Sequence, residues 1–231
     1  MIISFLEESV YFGVIISISA YFFGMYLKKK FKSGLLNPLL ISIIITIIVV
    51  GAGGIDYDKY NQGAKLLSYL LTPATVCLAI PLYQHIELLK SDWKAIIAGI
   101  LSGVLTSMIC VLVMAIIFEL EHEDYVTLLP KSITTAIGMG VSEELGGYVS
   151  ITVAIIIITG ILGNIIGEFV FKLFRISDPV AMGIGLGTAS HAIGTAKAME
   201  LGEVQGAMSS LSIVISGILT VVGASVFAMI M

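Results

Sequence analysis

Charged residues are scarce in this chain, and their scarcity excludes an ordinary soluble fold. Asp, Glu, Lys and Arg make up 12% of the 231 residues, whereas hydrophobic residues make up 58% and the mean hydropathy is +1.06. A soluble domain of this length could not bury so much apolar surface, so the lipid bilayer must be its solvent. The net charge of −4 argues against nucleic acid as a partner.

Cysteine and the motifs of catalysis are equally sparse. Cys77 and Cys110 lie inside apolar segments, with no Cys-x-x-Cys pair and no Cys/His cluster. This pattern argues against a disulfide framework and against a metal site. The sequence also contains no nucleophile elbow, Walker loop or dinucleotide fingerprint. We therefore expect no cofactor and no enzymatic activity.

Apolar runs long enough to cross a bilayer, at roughly 20 residues each, are abundant. They lie at about 10–27, 38–54, 66–86, 95–118, 149–173 and 206–231. Two further segments of spanning length, 128–147 and 180–202, carry several charged residues. Because a charge at the bilayer centre is costly, we expect these two segments to be re-entrant hairpins, with fully crossing broken helices as the alternative.

The positions of the basic residues favour the hairpins. With two hairpins, one side of the membrane, taken as cytoplasmic, collects Lys28, Lys29, Lys30, Lys32, Lys90, Lys94, Lys172 and Arg175. This is the positive-inside distribution, and it leaves both termini outside. If the two segments crossed fully, Lys172 and Arg175 would move to the outer side and violate the rule.

The two charged segments contain near-copies of one motif, at 135–146 and 191–202. The copies agree at Ala136/Ala192, Ile137/Ile193, Gly138/Gly194, Glu144/Glu200, Leu145/Leu201 and Gly146/Gly202. Repeated polar blocks in an apolar chain are typical of transporter binding sites. We predict an all-α polytopic membrane protein, a single integral membrane domain spanning 1–231. Its N-terminal helices occupy about 10–118, and two inverted units follow at 128–173 and 180–231.

The hairpin tips supply candidate substrate-binding groups, namely Thr134, Thr135, Gly138, Ser190, His191, Gly194 and Thr195. Hydroxyl groups and the N-termini of short helices suit an anion such as a carboxylate. Lys131 and Lys197 are the cations at membrane depth. Lys131 could instead extend to the interface, and Lys197 could instead pair with Glu200 or Glu144. Asn164 lines the cavity or bonds a neighbouring helix.

Three further ionisable residues have two interpretations each. His191 handles a proton, since imidazole titrates near neutrality, or it is a hydrogen-bonded structural residue. Glu144 and Glu200 occupy equivalent repeat positions and either titrate with transport or neutralise a nearby cation. The structural role is favoured for Glu200 because Lys197 is three residues away on the same helical face.

The scarcity of arginine limits the substrate. Arg175, at the cytoplasmic edge, is the only arginine in the sequence. Dicarboxylates and tricarboxylates are commonly bound by the bidentate guanidinium fork. The sequence therefore predicts a small monocarboxylate.

Five stretches of the chain resemble the LrgB/CidB family. They are Asn37-Pro-Leu, Pro73-Ala-Thr-Val-Cys-Leu-Ala-Ile-Pro-Leu-Tyr83, Leu129-Pro-Lys-Ser-Ile-Thr-Thr-Ala-Ile-Gly138, Ser142-Glu-Glu-Leu-Gly-Gly147 and Gly187-Thr-Ala-Ser-His-Ala-Ile-Gly-Thr-Ala-Lys197. The pattern is more similar to the CidB branch than to LrgB itself. The resemblance implies a multi-pass protein of the bacterial cytoplasmic (inner) membrane and a small holin-like partner of the LrgA/CidA type.

The resemblance leaves two classes of function open. Related proteins are associated with export or exchange of small monocarboxylates such as pyruvate, glycolate and glycerate. The family is also named antiholin-like and is linked to control of murein hydrolases and to lysis, which would require partner binding without transport. The duplicated motif with its intramembrane charges favours transport. The sequence does not decide whether the protein forms a homo-oligomer.

Overall fold

The structure is a computed structural model that describes residues 11–31, 36–77 and 79–231. Within these ranges the regular structure is helical, without strands. The chain divides into two compact units, 1–77 and 78–231, and each is described by itself. The description as one membrane domain stays a prediction. The N-terminus and Lys32, on which the predicted topology draws, lie outside the described residues.

The first unit contains α1 (Phe12–Phe31), α2 (Pro38–Ala52), α3 (Tyr57–Ser68) and α4 (Leu71–Cys77). Helix α2 begins at Asn37, whose side chain accepts hydrogen bonds from two backbone N–H groups of its first turn, and Pro38 opens the helix. Gly24 of α1 lies against the backbone of Pro38, where any side chain would collide.

The apolar run at 66–86 was predicted to be one spanning helix, but the structure divides it. Helix α3 ends at Ser68, and the short helices α4 and α5 (Ala79–Gln84) follow. Pro73 lies in the first turn of α4, and residue 78, between α4 and α5, lies outside the described residues. A proline has no N–H to donate and is tolerated in a first turn but not in a helix interior, so one helix ends at Ser68 and another begins at Leu71, ahead of Pro73.

The second unit continues with α6 (Ile86–Ile117), α7 (His122–Leu128), α8 (Thr135–Glu144), α9 (Val149–Leu173), α10 (Pro179–Leu201) and α11 (Glu203–Ala228). Of the described helices, three are long and apolar enough to cross a membrane, namely Lys90–Ile117 within α6, α9 and α11. Helix α2 is apolar but shorter. These spans indicate a membrane protein, whereas the count of six spanning helices stays a prediction.

Helix α10 is interrupted at Ser190 and His191, whose backbone angles are not helical. Before the break, Leu186 contacts Gly167 of α9 and Ser190 contacts Gly163, so this part of α10 runs antiparallel to α9. After the break, Ile193 pairs with Asn164 and Lys197 pairs with Glu168, so the remainder runs parallel to α9. The chain therefore folds back on itself. We call residues 186–194 the second reversal, since a similar reversal occurs earlier in the chain, and we call residues 192–201 the returning half of α10.

A similar change of direction precedes α9. The Thr152 hydroxyl bonds to the carbonyl of Thr127 (3.0 Å) and to the hydroxyl of Ser142 (2.7 Å). Gly138 lies against Ile156, so α8 runs antiparallel to α9. The Ser132 hydroxyl lies 3.1 Å from that of Ser107, which belongs to the middle of the α6 span. We call residues 127–142 the first reversal.

Candidate functional site

The two reversals meet α6 and α9 at a cavity of about 620 Å³. Its lining comprises hydroxyl, thiol, amine and small groups together with two aliphatic side chains. The residues are Ser102, Gly103, Thr106, Ser107, Cys110, Lys131, Ser132, Thr159, Leu162, Gly163, Ile166, Gly185, Thr188, Ala189 and Ser190. The cavity thus brings together one face of each of two spanning helices and one end of each reversal.

The contribution of α6 was missed by the sequence reasoning. Ser102, Thr106 and Cys110 recur every four residues, which places them on one face of a helix, and Gly103 and Ser107 lie beside them. This spacing of small polar residues within an otherwise apolar span was the signal that could have revealed the helix as part of a site.

Lys131 supplies the charge of the cavity. Of the charged side chains that the structure describes, it alone appears in the lining. Its ammonium donates a hydrogen bond to the Ser132 hydroxyl at 2.9 Å, and Ser132 lies 3.1 Å from the hydroxyl of Ser107. The cation is therefore held beside two hydroxyl groups that face the same space.

The second reversal reaches the cavity through Thr188 and Ser190. Ser190 is almost fully buried, and its hydroxyl lies where a side chain at position 163 would have to be. Glycine at 163 is therefore required for α9 to approach the reversal. Thr188 donates its hydroxyl hydrogen to the carbonyl of Ile184 at 2.7 Å, which fixes the direction of its side chain.

His191 stands behind the cavity wall and supports the second reversal. It is 3% exposed, and its Nε2 lies 2.9 Å from the carbonyl oxygen of Ile156. Because a carbonyl oxygen only accepts, Nε2 carries the proton in this bond. The backbone of His191 has φ of +41°, and its carbonyl accepts a hydrogen bond from Thr195, whose hydroxyl also meets that of Ser209 at 2.7 Å.

Asn164 and Lys197 connect α9 to the returning half of α10. The Asn164 amide donates to the carbonyl of Ile193 at 3.0 Å. The Lys197 ammonium lies 2.5 Å from a carboxylate oxygen of Glu168 and 3.2 Å from one of Glu200. The sequence predicted Glu200 as a partner of Lys197, and Glu168 also lies 3.9 Å from the ammonium of Lys172.

The remaining candidates also lie outside the described lining. Thr134 and Thr135 stand at the start of α8, and Gly138 packs against Ile156. Gly194 lies against the carbonyl of Leu186 and the side chain of Ser190. Glu144 is exposed at the end of α8. Of the predicted substrate-binding residues, Lys131 and Ser190 are those that the structure brings into the cavity.

Comparison of the sequence with those of known proteins places the chain in a family. The sequence model of the LrgB-like family matches residues 17–230. The antiholin-like protein LrgB of Bacillus cereus strain B4264 is 37% identical over 213 residues, which cover 92% of this chain and 93% of that protein. The protein of the same name from Bacillus anthracis strain CDC 684 / NRRL 3495 has the same identity and coverage. No solved structure matches the chain. The finer assignment to a CidB branch stays a prediction.

Proposed function

The chain belongs to the LrgB-like family, and from this premise we propose that it transports a small monocarboxylate across the bacterial inner membrane. Pyruvate and glycolate represent the substrate class. The protein would be a multi-pass secondary transporter or exporter, with no enzymatic step, and would work with a holin-like partner of the LrgA/CidA type. Membership of the family supports the proposed partner class, and the lining of the cavity supports the proposed substrate class.

The observation that carries the proposal is the position of Lys131 among hydroxyl groups where the two reversals meet. A carboxylate that leaves water must recover both hydrogen bonds and a balancing charge. The hydroxyls of Ser107, Ser132 and Ser190 offer the hydrogen bonds, and the ammonium of Lys131 offers the balancing charge. A monoanion is balanced by this one cation, whereas a dicarboxylate would keep one uncompensated charge. The volume of about 620 Å³ lies within the usual range of small-ligand sites, roughly 300–1,000 Å³.

The inverted repeat is part of the proposal. Gly138 and Gly194 are equivalent in the repeat, and each lies beside the carbonyl of the residue eight positions earlier, Pro130 in one unit and Leu186 in the other. In a straight helix residues eight apart are separated by about 12 Å. The shared contact supports two re-entrant hairpins of opposite orientation, which would open the cavity to alternate sides.

The topology has its own test. The hairpin arrangement puts positions 122 and 175 on opposite sides of the membrane, because α9 crosses once between them. Single cysteines introduced at each position into a variant without Cys77 and Cys110 would be labelled with an impermeant thiol reagent in intact and inverted vesicles. Labelling of both positions from the same side contradicts the hairpin topology.

A regulatory function is the alternative. The Bacillus relatives are named antiholin-like, and this name favours a protein that controls murein hydrolases and lysis by binding its partner without transport. A lysine in a polar intramembrane cavity is uncommon. It favours transport, because a surface that only binds a partner requires neither the lysine nor the cavity.

Counterflow of labelled pyruvate and glycolate in proteoliposomes separates these alternatives. We expect transport by the wild type, at least a tenfold loss in Lys131→Gln and partial recovery in Lys131→Arg. Lys90→Gln is the matched control, because Lys90 is exposed and pairs with Glu87 outside the cavity. Wild-type rates in Lys131→Gln at equal folded amounts would contradict the proposed site. Transport absent from the wild type, with and without its partner, would favour regulation.

A further inference from the structure

A second cavity extends the first one along α6. It has a volume of about 430 Å³ and lies between α6 and the part of α10 that precedes the break. Four residues line both cavities, namely Ser102, Gly103, Gly185 and Thr188. The two cavities are therefore adjacent and share part of their wall, and we call the second cavity the groove.

The groove ends at Asp178, which stands at the start of α10. The Asp178 carboxylate caps this helix by accepting a hydrogen bond from the N–H of Ala181 at 2.9 Å. Asp178 follows the basic end of α9, where Lys172 and Arg175 lie. In the proposed topology this end faces the cytoplasm. The groove thus leads from the cavity that contains Lys131 to the cytoplasmic surface.

Large apolar side chains close to Lys131 in the sequence are buried. Tyr125 of α7 and Leu129 and Ile133 of the first reversal are each at most 2% exposed. All three belong to the apolar core formed with α6 and α11. The described residues that line both the groove and the cavity are small, namely Ser102, Gly103, Gly185 and Thr188.

Gly103 and Thr188, which line both cavities, lie close to each other. A Cβ atom added to Gly103 would lie 3.0 Å from the Thr188 hydroxyl oxygen, and the hydrogen bond from Thr188 to Ile184 limits how far this hydroxyl can move. A larger side chain at position 103 would therefore fill the junction. Gly99, one turn earlier, lines the groove and has only ordinary contacts with Ile184.

We propose that the groove is the passage between the central cavity and the cytoplasm, that Gly103 and Thr188 form its constriction, and that the structure represents the state open to the cytoplasm. The identity of the molecule that passes rests on the proposed function, whereas the passage itself concerns access of water and small hydrophilic anions. The hydroxyl oxygens of Ser102 and Thr188, which donate their hydrogens to the carbonyls of Gly99 and Ile184, make this part of the lining polar.

Cys110 is a native reporter for the passage, because it lines the central cavity. In a Cys77→Ser background, the small anionic reagent 2-sulfonatoethyl methanethiosulfonate would be added to inverted or intact membrane vesicles, and modification of Cys110 would be followed by mass spectrometry. We expect rapid modification in inverted vesicles and at least tenfold slower modification in intact ones. Gly103→Leu should slow the reaction in inverted vesicles at least tenfold. Gly140→Leu is the matched control, since a side chain there meets open space.

The proposal would be overturned if Cys110 were modified faster from the outer side, or if folded Gly103→Leu reacted at an unchanged rate. It would also be overturned if only uncharged permeant reagents modified Cys110, because that result would show that the groove faces lipid. If Gly103→Leu does not fold, Ser102→Cys in a variant lacking both native cysteines replaces it and must react from the cytoplasmic side. Since labelling requires no substrate, normal labelling without counterflow would reject the proposed function and retain the passage.

Discussion

The Nζ atom of Lys197 lies 2.5 Å from a carboxylate oxygen of Glu168, and this ion pair connects the returning half of α10 to α9. The lysine side chain is only 14% exposed, and Glu200 approaches it at 3.2 Å from the same helix. A partly buried ammonium with two carboxylate neighbours is held in place rather than available to a ligand, so we assign Lys197 to the support of the second reversal.

Glu168→Gln should destabilise the protein more than Glu200→Gln does. Glu168 makes the shorter contact and joins two helices, whereas Glu200 is more exposed and lies on the same helix as Lys197. A hydrogen bond to a charged group contributes about 1.5–3 kcal/mol, and we expect a loss near the lower end for Glu168→Gln. Thermal unfolding in detergent measures both. Glu87→Gln, in an exposed pair, is the control, and an equal effect of all three would contradict the assignment.

Gly163→Ala should destabilise the contact between α9 and the second reversal. The added methyl group would occupy the position of the Ser190 hydroxyl, and overpacking of this kind costs roughly 1–3 kcal/mol. Ser190→Gly in the same chain removes the obstructing side chain and should restore part of the stability. Gly140→Ala, with open space around it, should instead stabilise α8 by up to about 1 kcal/mol. Thermal unfolding of these variants measures the expected loss of stability in Gly163→Ala and the expected gain in Gly140→Ala.

Glu119→Gly should stabilise the end of α6. Glu119 has φ of +51°, and the N–H of Leu120 donates to the carbonyl of Ala115 at 2.9 Å. These features form a Schellman motif, in which glycine is the preferred residue at the left-handed position. Replacing a residue with a Cβ there removes a strain of about 1–2 kcal/mol. Unfolding measurements that show no gain would mean that the Glu119 side chain makes a compensating contribution.

The hydrogen bond between Tyr148 and Glu123 should make stability depend on alkaline pH. The Tyr148 hydroxyl donates to the Glu123 carboxylate at 2.6 Å, and this bond raises the pKa of Tyr148 above its ordinary value of 10.0. Because the folded state favours the protonated phenol, the contribution is complete below pH 10 and is lost as the pH rises through the raised pKa. The difference in melting temperature between wild type and Tyr148→Phe should therefore shrink above pH 10. A constant difference would contradict the role of the bond.

Several features of the fold follow from the sequence alone. The apolar run at 149–173 coincides with α9, because a segment of this length and composition has to satisfy its backbone hydrogen bonds within a helix when lipid surrounds it. The repeated motif also indicated where the helical pattern would be interrupted, near 134 and 190. The run at 66–86 shows the limit of hydropathy, since the helix ends at Ser68, ahead of Pro73, in a segment that composition alone describes as continuous.

The composition of the site was decided by the tertiary structure. The sequence identified Lys131 and Ser190, but it could not show that Ser107 of α6 meets Ser132, or that Thr188 faces Gly103. His191 and Thr195 share the motif of Ser190, yet they turn into the protein interior. A reversal between two half-helices gives adjacent residues opposite directions, and the directions are fixed by contacts with other helices, such as that of His191 with Ile156 of α9 and that of Thr195 with Ser209 of α11. The sequence by itself thus determined the apolar helices and the position of the breaks, whereas only the packing of the helices decided which polar groups enclose the cavity.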